Sequence, residues 1–509
     1  MTPQTAFRRK IAYVVAIAVL LALLSFLGRP ATRGSKTAKG SPGGLLARAR
    51  DQHGLNQAQL GEIDPTSETI KLATLGMRGV ATIFLWEQAN TYKMKKDWTN
   101  LSAVLEQIAR LQPNFISVWE FQSWNLSYNV SAEFDDFRQR YHWVIRGIKF
   151  LEKGTRYNEM EPKLLWDMGW TISQKIGKSD ERKQFRRLFK QDDDFHDWLP
   201  YKMQDASRDN WLVGQRWYRE AERLHDEKGA SIGGKSPVVF RSEAPMCQMN
   251  YATAVEEDGR FGRVAGGAWE EASRQWHRFG ALDIPTSGGE KTIRLNDKEG
   301  LEKLAADKVE QLDALEPGLR EEIIERKRND LPAEQREALD TPKDKRTQEQ
   351  WTLAAEAEQL IKVSHEEVAR NLPRAQRAPA LKLAKEAQQA EDEARFIGRY
   401  REIVNFEYWR RHAEVEQDPD TLDARRLIYY GRQAMERDAD LDTALKLFEE
   451  GLRAWRRVFD KYPDLLDDST TVEDTQDIIE SYRRLLHLRD MPFPKDFILQ
   501  DVLDAKPEN

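Results

Sequence analysis

The 509-residue chain carries 79 Lys and Arg against 85 Asp and Glu, a formal net charge of −6 with 32 % charged residues. No basic surplus is present to hold nucleic acid, which is excluded as a partner. Cys247 is the one cysteine, so intrachain disulfides and cysteine-rich zinc or iron–sulfur sites are excluded too. Leucine, alanine, glutamate and arginine abound and β-branched runs are scarce, which predicts helices. The 15 tryptophans are large enough to fill the gaps between packed helices.

A short basic tail, residues 1–10, ends in Arg8, Arg9 and Lys10. Residues 11–28, "IAYVVAIAVLLALLSFLG", hold no charge, and at about 1.5 Å per residue they reach about 27 Å, enough to cross a hydrocarbon core. A cleaved signal peptide is the rival reading; the long run and the absence of a small-x-small cleavage site favour an uncleaved anchor. Basic residues flank both ends (Arg29, Arg33, Lys36 and Lys39 on the far side), so charge asymmetry does not decide orientation. The difficulty of translocating a cationic tail places the bulk of the chain outside the cytoplasm. Residues 29–66, rich in Gly, Pro and Ser, read as a flexible linker.

From residue 67 to 200 apolar residues recur at helical spacing in successive pairs. Leu165, Met168 and Gly169 stand at first-helix positions of a tetratricopeptide pattern, Gly147, Leu151 and Gly154 in a second helix, and Pro113 and Pro162 near its closing position. The two prolines are 49 residues apart, not the usual 34, so the repeats are degenerate or carry insertions. "QDDDFHDWLP", with Asp192, Asp193, Asp194, His196 and Asp197, lacks the ligand register and glycine of a calcium loop and reads as a solvated acidic linker.

Residues 201–295 read as one helix, "DNWLVGQRWYREAERLHDEK", and an irregular segment. Gly229, Gly234, Lys235 and Ser236 match G-x-x-x-x-G-K-[ST]. A phosphate loop needs a buried strand before it and a helix after it, so that the helix N-terminus faces the phosphates. Here a charged helix precedes the glycines, and "PVVFRSEAP" is a poor helix that ends at Pro245. Gly229 is expected to stop the preceding helix, and Gly233 and Gly234 to form a turn. Met246, Cys247 and Met249 are soft donors without a histidine nearby, and they read as core.

Residues 296–395 form a charged helical insertion cut by prolines 317, 332, 342, 373 and 379. Narrow apolar seams run through Leu301, Leu304, Leu312 and Leu315, then Trp351, Ala354, Ala357, Leu360 and Ile361. His365 in "SHEEVAR" lacks the second histidine of a zinc-protease helix. Residues 396–465 give another tetratricopeptide-like pair, with Ala444, Phe448, Gly451 and Pro463 in the second-helix pattern. Residues 466–509 supply a C-terminal helix and tail.

The apolar N-terminus, "LGMRGVATIFLW", "PMCQMNYA" and "FPKDFILQDVL" together resemble membrane-anchored tetratricopeptide-like proteins of planctomycete-type bacteria. Some of these carry an iron-responsive label, for which no residue pattern here gives support. The resemblance implies anchoring in a bacterial envelope and partner binding. The fold class expected is all-α: a transmembrane helix, then a degenerate repeat array with a charged insertion. No nucleophile elbow, dinucleotide fingerprint, haem motif or paired-histidine zinc site occurs, so no catalytic, cofactor-binding or metal residue is assigned. The function expected is a membrane-anchored scaffold, not an enzyme, that meets protein partners on the concave face of its repeats and the bilayer through residues 11–28. The alternatives are a nucleotide- or metal-dependent hydrolase centred on Lys235 or on Asp192 to Asp194, and a self-associating structural envelope protein.

Overall fold

The computed structural model describes residues 78–200, 207–286, 289 and 291–505, together with the isolated positions 19, 45 and 48. The described chain is all-α apart from a two-residue antiparallel pair, β1 (Ile284–Pro285) with β2 (Thr292–Ile293). It divides into two compact units, residues 1–235 and 236–509.

One expectation is corrected at the outset. Among the described residues no helix is long and apolar enough to cross a membrane. A span needs about 20 predominantly apolar residues, whereas these helices carry charge along one side. Residues 11–28 lie outside the described residues except for Val19. The transmembrane helix and the single-pass membrane placement are therefore withdrawn.

The first unit is built of helix pairs. Its helices are α1 (Arg78–Met94), α2 (Trp98–Leu111), α3 (Ile116–Trp124), α4 (Phe137–Tyr157), α5 (Pro162–Trp170), α6 (Arg182–Gln191), α7 (Asp193–Trp198) and α8 (Asn210–Lys228). α1 packs on α2, α3 on α4, and α5 on α8. Four of the starts have a chemical reason in a cap or a proline. Asp97 and Asp136 accept backbone N–H groups at the first turns of α2 and α4, Asp209 does so for α8, and Pro162 opens α5, where its missing N–H is not needed.

Small residues set how closely the pairs approach. A Cβ on Gly147 would lie 2.8 Å from the Ser123 carbonyl oxygen of α3, and one on Gly154 would lie 2.7 Å from Trp119 Cγ. In the next pair Gly169 and Gly214 meet, each Cβ position about 3 Å from the other's carbonyl oxygen. Trp119, Trp217, Tyr218, Phe185, Phe189 and Phe195 fill the spaces between.

α3 and α5 each end in a π-helical turn, Asn125–Val130 and Thr171–Lys175. Side-chain hydroxyls occupy carbonyls at these turns: Thr171 donates to the Asp167 oxygen at 2.8 Å and Ser131 to that of Ser127 at 2.6 Å. The acidic "linker" is helical. Asp192 caps α7 at Phe195 N, and His196 lies buried in that helix with a ring nitrogen 2.8 Å from the Phe189 oxygen.

The second unit opens with α9 (Pro237–Glu257) and α10 (Arg263–Gly280). Here the sequence expectation fails: "PVVFRSEAP" is helical, with Pro237 in the first turn and Pro245 inside α9. A proline within a helix costs one backbone hydrogen bond. Burial of Val238, Phe240, Ala244, Cys247 and Met249 offsets that cost, and the latter two are core as expected.

The helices that follow are α11 (Lys298–Asp313), α12 (Leu319–Asn329), α13 (Ala333–Asp340), α14 (Gln348–Ile361), α15 (His365–Asn371), α16 (Arg377–Ile403), α17 (Phe406–Glu416), α18 (Pro419–Glu436), α19 (Leu441–Lys461), α20 (Ser469–Leu488) and α21 (Gln500–Asp504). The charged segment has a thin core of its own in Leu312, Leu319, Ile323, Val368, Leu372, Ala380 and Ala384. Its expected seams hold only in part. Leu312, Ala354 and Ala357 are buried, while Leu304, Trp351 and Leu360 are exposed. Pro379 sits in the first turn of α16 and does not break it; that helix continues past residue 395 to bury Ile397 and Tyr400 against α10 and α17. α18 and α19 repeat the close crossing of the first unit, with Gly431 against Phe448 and Gly451 against Ile428.

Candidate functional site

In the first unit the first helices of three successive pairs share one face. Along α3, Val118, Trp119 and Gln122 are buried, while Phe121, Trp124 and Tyr128 lie on the other side at spacings of three and four residues. Their rings form a row: Phe121 to Trp124 at 6.2 Å, Trp124 to Tyr128 at 6.1 Å, then Tyr128 to Trp170 of α5 at 6.2 Å. From α1, Lys93 places its ammonium 5.2 Å from the Phe121 ring centre, and Trp86 meets Phe115 edge-on at 6.0 Å. Trp124 is 45 % exposed, a large ring left facing solvent in the middle of the row.

The π turns position the far end. A π turn takes an additional residue, shifting the side-chain register after it. Tyr128 and Lys175 both come from such turns, and the Lys175 ammonium lies 4.4 Å over the Tyr128 ring. Burial pushes the Tyr128 hydroxyl up to about 12 and lowers the Lys175 ammonium from its usual value.

The near end of the same helices carries charge. Lys163 pairs with Glu120, and Asp167 lies between Glu120 and Lys235, whose ammonium is 3.6 Å from Asp167 Oδ1 and 3.5 Å from the Trp166 ring centre. Burial pushes the Asp167 carboxyl up to about 7 against the pull of Lys235, and Glu120 adds to the rise.

This settles where the phosphate-loop lysine points. Gly229 stops α8 in the left-handed conformation with its N–H on the His225 oxygen, and Gly233 and Gly234 have positive φ, both as expected. A helix does follow Ser236, contrary to expectation. What precedes the glycines is α8 and not a strand, and Lys235 is folded back on an indole and a carboxylate. Asp192 accepts from the Tyr141 hydroxyl at 2.8 Å, and Asp193 pairs with Arg208. Among the described residues no group of three or more His, Cys, Asp or Glu is arranged to hold a metal ion.

A second constellation, in the second unit, was not anticipated. Glu416 of α17 is 3 % exposed and accepts from Arg425 Nη2 at 2.5 Å, while Glu256 accepts the Trp269 indole N–H at 2.9 Å. Burial and the Glu416 carboxylate push Glu256 up to about 7, whereas Arg425 and His412 hold Glu416 below its usual value despite its burial. His412 stacks on Tyr408 at 5.7 Å, and burial lowers its pKa.

The fold and the aromatic face define an all-α protein of packed helix pairs. No protein-family model matches the chain, and no curated protein matches it.

Proposed function

We propose that the protein is a tetratricopeptide-like helical-repeat adaptor that binds an extended polypeptide segment on the face shared by α1, α3 and α5, without catalysis. The row Phe121–Trp124–Tyr128–Trp170 carries this reading. Aromatic side chains dominate the energetics of protein interfaces, and a few central ones supply most of the affinity. The core of the unit is already filled by Trp119, Trp217, Phe185 and Phe189, so Trp124 is not required for packing. Lys93 beside Phe121 and Lys175 over Tyr128 add cationic contacts for an acidic or carbonyl-rich backbone.

The test is selection of binders from a displayed random peptide library by the purified protein, followed by calorimetric titration. Selected peptides share spaced apolar anchors, and Trp124→Ala weakens them roughly 30-fold, the equivalent of about 2 kcal/mol at a central interface aromatic. Failure to enrich any peptide, or binding equal in wild type and Trp124→Ala, refutes the reading.

A further inference from the structure

A cavity of about 250 Å³ opens between α2 and α4, floored by Trp119 and Phe150. It is distinct from the aromatic row, which belongs to α1, α3 and α5. Four cations line it: Arg110 from α2, and Arg146, Lys149 and Lys153 from one face of α4. The only acidic lining residue is Glu106, 3.5 Å from Arg146.

Lys163 meets Glu120, and Arg223 meets Glu220 and Glu227. Three of the lining cations lie against rings, Arg146 with Glu106 also beside it. The Arg146 guanidinium lies 4.8 Å from the Trp143 ring centre, the Lys149 ammonium 5.3 Å from that of Trp198, and the Lys153 ammonium 5.8 Å from that of Tyr157. An aromatic face orients a cation without neutralising it. Like charges gathered beside a low-dielectric floor raise the local potential and concentrate anions.

The floor is fixed before any ligand arrives. Trp119 donates its indole N–H to the Pro113 oxygen at 2.7 Å, and Asn158 Nδ2 donates to the same oxygen at 2.9 Å. The Trp119 ring is gripped between Phe150 at 4.7 Å and Tyr157 at 5.7 Å.

We infer that this cavity binds a compact phosphate ester carrying two negative charges and a flat apolar group. The volume falls just below the roughly 300–1,000 Å³ typical of small-molecule clefts, which suits a small ligand better than a peptide. A guanidinium group can take phosphate oxygens bidentately, an ammonium acts as a point charge, and the aromatic lining suits a flat ring.

The experiment uses the full chain at constant ionic strength, with phenyl phosphate, inorganic phosphate, phenol and a hexaglutamate peptide as probes in thermal-shift and calorimetric titrations. Phenyl phosphate stabilises the protein saturably, inorganic phosphate does so more weakly, and phenol does not. The double variant Arg110→Gln, Lys149→Gln weakens phenyl phosphate at least tenfold, and Trp124→Ala leaves it unchanged, which separates this site from the peptide face. Should the double variant fail to fold, Lys149→Gln alone is read in the same way. Absence of saturable binding, binding unaffected by the lining variants, or tighter binding of hexaglutamate than of phenyl phosphate overturns the inference.

Discussion

Adding one methyl group at Gly154 tests the close approach of α3 and α4. The Cβ of Gly154→Ala would lie 2.7, 2.8 and 2.9 Å from Trp119 Cγ, Cδ2 and Cβ, inside contact distance. The ring is restrained although it borders the α2–α4 cavity: it is 2 % exposed, stacked on Tyr157, tilted against Phe150 and tied to the Pro113 oxygen. Overpacking costs about 1–3 kcal/mol, and a displaced, unpaired indole N–H a further 1–3 kcal/mol or so. Alanine's helix preference over glycine returns about 0.5–1 kcal/mol. The net loss is about 1–5 kcal/mol, a fall in Tm of roughly 2–20 °C for a unit of this size. Gly267→Ala in α10 is the control, since a Cβ there meets nothing within 4 Å. That substitution stabilises by about 0.4–1 kcal/mol through the unfolded chain alone. Scanning calorimetry of both variants decides. Equal signs for the two, or a raised Tm in Gly154→Ala, refutes the crossing as described.

Asp167 titrates from 3.8 unfolded to about 7 folded, so the folded state holds its proton more tightly and this carboxyl subtracts stability as pH rises from about 4 to 7. Chemical denaturation at pH 4.5 and 7.5 should show Asp167→Asn losing less stability across that range than wild type; a parallel loss refutes the assignment. Glu256→Gln should flatten the same window, because its carboxyl is also raised to about 7. Deleting residues 491–509 removes Phe497, Leu499 and Val502 from the α18–α20 core, about 5–9 kcal/mol at roughly 1.5–3 kcal/mol per buried side chain. That loss is comparable with the whole stability of a domain, and circular dichroism should show the second unit unfolded; native-like helicity refutes the packing. Lys235→Ala should lower Tm by loss of the Trp166 and Asp167 contacts, while magnesium–ATP shifts neither protein. A nucleotide-dependent shift lost in the variant would restore the phosphate-loop reading.

The helix pairs were legible because their signals are local. Gly147, Gly154, Gly169 and Gly451 mark crossings that tolerate no side chain, and Gly229 marks a helix end that requires positive φ. The failures were not local. Pro245 reads as a breaker until the buried face of α9 is known, and the leucines at 304 and 360 read as core although the fold leaves them exposed. The aromatic row was half visible. Phe121, Trp124 and Tyr128 are offset from the buried stripe of α3, a pattern open to inspection, but the π turns that align Tyr128 with Trp170 and Lys175 have no local signature. The α2–α4 cavity depends on residues about 40 positions apart, Arg110 and Lys153 among them, and only the fold brings them together.

Perturbed carboxyls usually direct attention to catalysis, because an active site shifts its acids and bases deliberately. Here two of the shifted carboxyls take part in ionic contacts between helices. Asp167 ties α5 to Lys235 at the end of the α8 loop, and burial and the Glu416 carboxylate raise Glu256 beside a guanidinium that Glu416 already engages. Glu416 does line a cavity of about 270 Å³, together with His412. Yet His412 is stacked on Tyr408 and edge-on to Trp269, and the Glu416 carboxylate is engaged with Arg425. Glu416 is 3 % exposed and, held by Arg425, ties α17 to α18. In the first unit the geometry is reversed: Trp124 is exposed on a face whose supporting helices are already packed. That exposed ring, and not a shifted acid, is the observation on which the proposed binding role rests.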